Sequence, residues 1–130
     1  EQIRYLSQGC ECKYIFFEPI QDVVVGSSED SKEQQLADLS VRLSKLAAEL
    51  NVGIVTIAHT NDNGDPKYCK MIGQRASVII DLYRDKLSED DHERNTTQLR
   101  VEKNRPCSEE GMAGTLLFDS HSFTLEETHS

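Results

Sequence analysis

The sequence predicts an α/β fold built on a mainly parallel sheet with flanking helices. Two almost continuously apolar runs, residues 13–18 and 53–59, each end on an ionisable side chain. Strands that are apolar throughout are typical of parallel sheets, because such sheets are covered on both faces. Between them, residues 31–50 carry leucines at steps of three and four, the spacing of a helix with one apolar face. Together the three segments predict a parallel βαβ crossover.

Capping and turn residues predict the segments that precede and open this crossover helix. Residues 1–9 are typical of a helix end that Gly9 closes in the left-handed conformation. Residues 21–30, rich in serine and acidic side chains, are typical of an exposed loop. Ser31 is the predicted N-cap, with Gln34 at the capping-box position. The helix is expected to pack on the sheet through Leu36, Leu39, Leu43, Leu46, Ala47 and Leu50.

The second half of the chain alternates short apolar and polar segments, and it ends in a pattern typical of an antiparallel hairpin. The crossover helix ends at Asn51, and a polar loop over residues 60–66 follows the second strand. The remaining predicted segments are a short helix 67–76, a buried strand 77–83, a charged turn-like connection 85–95, a strand 96–103, a hairpin of 114–118 with 122–125, and a frayed tail 126–130.

Composition limits the classes of protein that fit. The 130 residues suit a single domain, or a piece of a larger one. A net charge of -9 excludes a uniformly basic nucleic-acid binder, but a few lysines in one loop can still make a local positive field. No apolar run has the length of a membrane span, and the first residues lack a signal-peptide pattern, so we expect a cytoplasmic protein. The irregularly spaced Cys10, Cys12, Cys69 and Cys107 are expected to be ordinary thiols rather than metal ligands.

The order of motifs resembles the C-terminal part of the RecA-like motor domain of DnaB-type ring helicases, including phage replicative primase-helicases and Twinkle-like proteins. The resemblance covers residues 3–125. Its motifs, in order, are the run Tyr14 to Glu18, the strand end Ile57-Ala58-His59, Gln74 before the run Ala76 to Leu82, and Val101 to Arg105 before Gly111-Met112-Ala113-Gly114. The implied fold is a partial RecA-like sandwich.

The resemblance implies roles around a bound nucleotide. Glu18 stands at the family's Walker B acid, which holds Mg²⁺ through water, although the family usually has the shorter Asp there. His59 stands at the phosphate sensor, and Gln74 at a glutamine that couples the nucleotide to the DNA-binding loop. Arg105, with Lys103 before it, stands where a cation reaches the nucleotide of the neighbouring subunit. Glu18 and His59 also stand at the ends of the two predicted parallel strands, and parallel sheets bind ligands at their carboxyl edge.

The resemblance also implies a loop that grips single-stranded DNA between His59 and Gln74. Lysines and amide side chains suit contacts with backbone phosphates that do not depend on base sequence. The candidates are Lys67, Lys70, Asn61 and Asn63. This loop is shorter than is usual in the family.

One family motif is absent from the sequence. No Gly-x-x-x-x-Gly-Lys-Ser/Thr loop occurs in the 130 residues. We therefore expect a C-terminal portion of a helicase domain that lacks the P-loop strand and helix, binds no cofactor tightly by itself and has no ATPase activity alone. The intact parent would use Mg²⁺ with ATP or dTTP and form a hexameric ring. Without the P-loop strand, the sheet would have an unpaired edge. We therefore expect this portion to self-associate by swapping or edge pairing.

Two other functions fit the same residues. One is a RecA or RadA-type recombinase core, which has the same fold. The other is a non-catalytic module, derived from an ATPase, that binds DNA or a protein without turnover. Within the helicase interpretation, the expected location is the host cytoplasm for a phage protein, with the mitochondrial matrix as the alternative.

Overall fold

The computed structural model describes residues 1–17, 19–24, 28–61 and 69–128. The chain folds into two compact units, Glu1–Ala76 and Ser77–Ser130. In the described ranges the helices are α1 (Gln2–Arg4), α2 (Glu29–Leu50), α3 (Met71–Arg75) and α4 (Asp91–Asn95), with a π-helical turn at Tyr5–Gly9 and a 3-10 turn at Ile20–Val23. The strands are β1 (Tyr14–Phe17), β2 (Gly53–Thr56), β3 (Val78–Tyr83), β4 (Thr96–Asn104), β5 (Gly111–Asp119) and β6 (Thr124–Thr128).

The first unit is built on the parallel pair β1–β2. Their register runs from Tyr14 opposite Gly53 to Phe17 opposite Thr56, and α2 connects the two strands. This arrangement confirms the predicted βαβ crossover. Gly53 lies at a close approach, since a Cβ there would lie 2.7 Å from Cδ1 of the Tyr14 ring and the exposed ring would have to shift. The aromatic ring therefore covers the strand at the position where it has no side chain.

Helix α2 begins three residues earlier than its sequence pattern predicts. Ser28 is the N-cap: its backbone is extended, and its Oγ accepts a hydrogen bond from the Ser31 N–H at 3.2 Å. The prediction of Ser31 as the cap was therefore wrong, because residues 29 and 30 already continue the helix toward Ser28. The predicted end is confirmed, since Asn51 takes the left-handed conformation at φ 53° and its N–H bonds to the Ala47 carbonyl.

The core of the first unit lies between α2, α3 and the 3-10 turn. Ile20, Leu36, Cys69 and Ile72 are its buried members, and Leu36 is wholly excluded from solvent. Leu39 and Leu43, from the predicted apolar face of α2, pack against this cluster. Residues 21–30 were predicted to be an exposed loop, which is wrong at its start, because Gln21 is 9% exposed.

The N-terminal helical segment ends as expected near Gly9, but not by the expected means. Gly9 does not have a positive φ; the left-handed residue is Glu11, at φ 57°. Gly9 instead lies against the Tyr5 ring, where an added Cβ would come within 3.2 Å. The segment is joined to the end of α2 by a bidentate ion pair, in which Arg4 donates to both carboxylate oxygens of Glu49 at 2.9 and 3.1 Å.

The second unit is an antiparallel sheet whose described strands have the order β3-β4-β5-β6. Antiparallel pairing is thus more extensive than the predicted C-terminal hairpin, and the parallel part is limited to β1–β2 in the described residues. A bulge falls between Leu99 and Arg100, whose partners are Gly114 and Met112, and Gly114 takes φ 140° there. Strand β3 was predicted to be buried, but Ile80 is 56% and Leu82 68% exposed. That prediction was wrong because Val78, Ile80 and Leu82 share one face of β3, which is exposed in the described residues, and an apolar run alone does not reveal whether another layer covers a face.

Two further segments of the second unit differ from prediction. Part of the charged connection 85–95 forms α4, which Asp90 caps by accepting hydrogen bonds from the N–H groups of His92 and Glu93 at 2.7 and 3.1 Å. The prediction of a frayed tail was wrong for residues 126–128, since Glu126 and Glu127 pair with Leu117 and Leu116 in the β5–β6 ladder. Among the described residues, no helix is long and apolar enough to cross a membrane.

Candidate functional site

The chain segments that leave β1 and β2 run beside each other beyond the strand ends. Phe17 pairs with Thr56 at the last register position. Further along, the Ile20 N–H donates a hydrogen bond of 2.8 Å to the Ile57 carbonyl. This edge is therefore held together by main-chain contacts on the carboxyl side of the parallel pair, where open α/β sheets bind ligands.

The Gln21 side chain makes a two-point contact with the main chain of His59. Its Nε2 donates to the His59 carbonyl at 2.9 Å, and its Oε1 accepts from the His59 N–H at 3.0 Å. Only this orientation of the amide satisfies both groups, since reversing it would face donor with donor and acceptor with acceptor. His59, three residues after the end of β2, is thereby fixed to the residues after β1, although it is itself exposed.

The segment that carries the predicted DNA loop is anchored at both described ends. Ala58, next to His59, packs against the buried cluster that contains Ile72 of α3. Helix α3, which comes after the loop in the sequence, is therefore held by the same cluster as the residue before the loop. The described candidates on this segment, Asn61, Lys70 and Gln74, are exposed.

In the second unit, the predicted catalytic cations lie at the end of β4. Lys103 is opposite Ile79 on β3, and the Arg105 N–H donates to the Ser77 carbonyl at 3.0 Å. Partial burial lowers the pKa of Lys103, and the positive charge of the nearby Arg105 lowers it further. The structure thus brings Lys103 and Arg105 together, with Arg105 exposed.

The turn after Arg105 is fixed by its own hydrogen bonds. The Ser108 N–H donates to the Asn104 carbonyl at 2.7 Å, and Ser108 takes the left-handed conformation at φ 58°. The Asn104 side chain donates to the Glu109 carbonyl at 3.2 Å. Because its main chain is held on both sides, Arg105 projects from an ordered turn.

Several predicted site residues lie outside the described residues: Glu18, Asn63 and Lys67. The others fall into two groups, one in each unit, with His59, Asn61, Lys70 and Gln74 in the first and Lys103 and Arg105 in the second. In the part of the chain that the structure describes, no three His, Cys, Asp or Glu side chains are grouped so that they could hold a metal ion.

Sequence reasoning missed Gln21 as a residue of this edge. The sequence does carry a signal, because Gln21 lies three residues after the polar strand end at Glu18 and follows the Pro19-Ile20 pair. A primary amide so close to the carboxyl end of a parallel strand can reach the next strand, but its partner is 38 residues away.

Comparison with known proteins identifies the family of the chain. A search among curated proteins returned no match. The family model for the DnaB-like helicase C-terminal domain matches residues 1–126. It spans both units, from the first helix to the last strand. The chain belongs to the DnaB-like helicase C-terminal domain family.

Proposed function

We propose that this chain is part of an NTP-driven, ring-shaped replicative DNA helicase and supplies its phosphate sensor, its DNA loop and a cation that acts across the subunit interface. Membership of the helicase family supports the general function. The observation that carries the specific proposal is the fixed edge after β1 and β2. There the main chain of His59 is held by Gln21 while the residue itself is exposed to an incoming ligand.

On the nucleotide side, His59 is the proposed contact to the terminal phosphate. An imidazole can donate a hydrogen bond to a phosphate oxygen, and a sensor must keep its position when the ligand is absent. Gln74 is proposed to relay the nucleotide state to the DNA loop. It lies on α3, and the core residue Ile72 on the same helix shares its cluster with Ala58 next to the sensor.

The proposed metal is Mg²⁺, held through water by the carboxylate of Glu18. A carboxylate next to nucleotide phosphates is the donor type that Mg²⁺ prefers, so the residue fits this ion chemically. When bound, Mg²⁺ would neutralise negative charge on the phosphates of ATP or dTTP. The chain's own residues would orient the nucleotide around it.

Arg105 is the proposed cation that reaches the nucleotide of the neighbouring subunit in a hexamer. Its exposed position on a turn fixed by the Ser77 and Asn104 main-chain contacts supports this role. A guanidinium is permanently charged and can give two parallel hydrogen bonds to phosphate oxygens. Lys103, whose pKa is lowered by burial, would add a second positive charge beside it.

The proposed DNA loop uses Lys67 and Lys70 for phosphate contacts and Asn61 and Asn63 as amide donors. Lys70 is exposed at the N-cap position of α3. Both described ends of the loop are anchored in the same unit. This supports a loop that passes movement at the nucleotide to the DNA, rather than a loose linker. The expected substrate is single-stranded DNA bound without base preference.

The DNA role is tested with fluorescence anisotropy of a labelled oligo-thymidine at several salt concentrations. The variant is Lys67→Ala with Lys70→Ala. Each phosphate contact to a single strand contributes about -0.7 to the slope of log K against log salt. Loss of both lysines is therefore expected to weaken binding at low salt and to make the slope shallower by about 1.4.

A double variant of Lys45→Ala with Lys86→Ala is the matched control, since both side chains are exposed and outside the loop. Starting from the net charge of -9, each double variant removes two positive charges, so any general electrostatic effect is the same in both. The control is expected to keep the wild-type slope. Equal slopes for the two double variants, or no binding by the wild type at low salt, would remove the DNA loop from the proposal.

A further inference from the structure

We infer that Gln21 is a positioning residue for His59, which joins the end of β1 to the end of β2 so that the two respond together when a phosphate binds. The inference rests on the proposed sensor function of His59 and extends it to a residue that the family comparison does not assign. It follows from the pair of hydrogen bonds between the Gln21 amide and the His59 main chain.

The contact resembles the pairing between backbones in a sheet. In an antiparallel ladder, two opposed residues exchange both N–H to C=O bonds. The Gln21 amide offers the same donor and acceptor to a single residue, His59, from a side chain. It thereby extends the link between the β1 and β2 segments past Thr56, where the ladder ends.

The environment of Gln21 makes this contact specific. Gln21 is 9% exposed, and Ile20 beside it is 2% exposed within the core cluster. A buried amide without partners is costly, so burial favours the conformation in which both His59 groups are engaged. Shortening the side chain or removing its polar atoms would release the His59 main chain to water.

The arrangement separates two properties that a sensor needs. The main chain of His59 is fixed by Gln21, whereas His59 itself remains exposed. A displacement of the His59 main chain by a bound phosphate would be passed through the two hydrogen bonds to Gln21, and with it to the 3-10 turn Ile20–Val23. This turn follows Glu18 in the sequence, so the inferred link connects the proposed phosphate sensor with the segment after the proposed Mg²⁺ ligand.

The test uses NMR on the whole chain and compares wild type with Gln21→Met and Gln21→Glu. Methionine keeps the length but offers neither hydrogen bond, whereas glutamate keeps the acceptor for the His59 N–H and loses the donor. Hydrogen exchange of the His59 N–H is expected to become about fivefold faster in Gln21→Met, the factor that a net contribution near 1 kcal/mol produces. Gln21→Glu should show a smaller increase.

The second readout is the response to ATP with Mg²⁺, added to millimolar concentration. In the wild type, resonances of both the His59 ring and the Gln21 and Asp22 amides are expected to shift. In Gln21→Met the His59 ring should still respond, while the Asp22 amide should not. A residue that only stabilises the fold would leave this pattern unchanged. Gln34→Met is the matched control, since Gln34 is an exposed glutamine on α2.

The outcomes separate this inference from the proposed function. Unchanged His59 exchange in Gln21→Met, or equal acceleration at Leu36 and other core amides of α2, would overturn the positioning role. Local acceleration at His59, with no ATP response of the wild-type imidazole, would support the positioning role and overturn the sensor function instead.

A measurement on the wild type alone covers the case in which Gln21→Met does not fold. One of the two Nε2 protons of Gln21 is bonded to the His59 carbonyl, so it should exchange more slowly than the corresponding protons of Gln98, an exposed glutamine of β4. Equal exchange of the Gln21 and Gln98 side-chain protons would contradict the contact on which the inference depends.

Discussion

Single side chains complete main-chain hydrogen bonds at several points where the backbone ladder or helix stops. Gln21 does so for His59, Asp90 for the first turn of α4, and Asp119 for the His121 N–H at 2.8 Å. In each case a polar side chain replaces a missing main-chain partner. One of these contacts, that of Gln21, holds the proposed phosphate sensor.

The cap of α4 predicts a pH effect at a single carboxylate. Hydrogen bonds from the Glu93 and His92 N–H groups hold the pKa of Asp90 below its ordinary value of 3.8. A folded-state pKa below the unfolded one means that the cap stabilises fully above about pH 4 and loses this effect as pH falls through the folded-state value. An NMR titration of the Asp90 carboxyl should therefore give a midpoint below that of an unstructured aspartate.

Asp90→Asn is the companion variant for that titration. Asparagine caps helices about as well as aspartate but does not ionise, so the acid-dependent loss of α4 amide protection should become smaller. An Asp90 midpoint at the unstructured value, or the same acid response in Asp90→Asn, would contradict the assigned cap.

At the residue scale, the sequence predicted where the candidate residues lie along the elements better than how they are held. Lys103 lies at the end of β4 as predicted, whereas β2 ends at Thr56, so His59 lies three residues beyond the strand that was predicted to end on it. The contact between Gln21 and His59 could not be predicted, because it depends on the side-chain reach between segments 38 residues apart. Local propensity contains no information at that separation.

At the scale of elements, helix α2 shows what periodicity can and cannot establish. The leucine spacing identified the helix and its buried face, with Leu36 at the centre. Its first residue was misplaced, because Ser28 and Ser31 are both good capping residues and only the backbone conformation decides between them. Likewise, α4 was missed because its charged sequence has no apolar face.

The position of the α2 cap is tested by comparing Ser28→Ala with Ser31→Ala. Loss of the Ser28 Oγ acceptor should lower the free energy of unfolding by about 1 kcal/mol, measured by urea denaturation followed by circular dichroism. Ser31→Ala loses only an exposed hydrogen bond with Gln35, and its effect should be below about 0.5 kcal/mol. The reverse order would restore Ser31 as the cap.

At the scale of the whole molecule, the sequence predicted the α/β class and the parallel crossover but not the division into two units. Strand β3 has the apolar character of a third member of the parallel sheet, yet it pairs with β4 in the second unit. The choice between sheets depends on long-range pairing, which an apolar run such as residues 78–80 does not specify. The extent of the antiparallel sheet was underestimated for the same reason.

The edge position of β3 predicts self-association of the chain. In the described sheet order β3 has β4 on one side only, and Val78, Ile80 and Leu82 are exposed along it. Exposed apolar edge strands pair with further strands, so we expect a weight-average mass above 14.7 kDa in sedimentation equilibrium. Ile80→Lys should shift the mass toward that of the monomer.

Gln98→Lys is the control for that experiment, because it adds the same charge at an exposed position of β4, which is an inner strand. It should leave association unchanged. A wild-type mass of 14.7 kDa across a wide concentration range would contradict edge pairing.

The contact between the Tyr14 ring and Gly53 gives the β1–β2 pair an optical signal of its own. The chain has no tryptophan and four tyrosines, so tyrosine emission is not masked by indole fluorescence. Among the described tyrosines, Tyr14 is the one whose ring covers the partner strand, and separation of the strands would change its surroundings. Emission from a chain with its other tyrosines replaced by phenylalanine would therefore follow the opening of the edge that carries His59, independently of the rest of the fold.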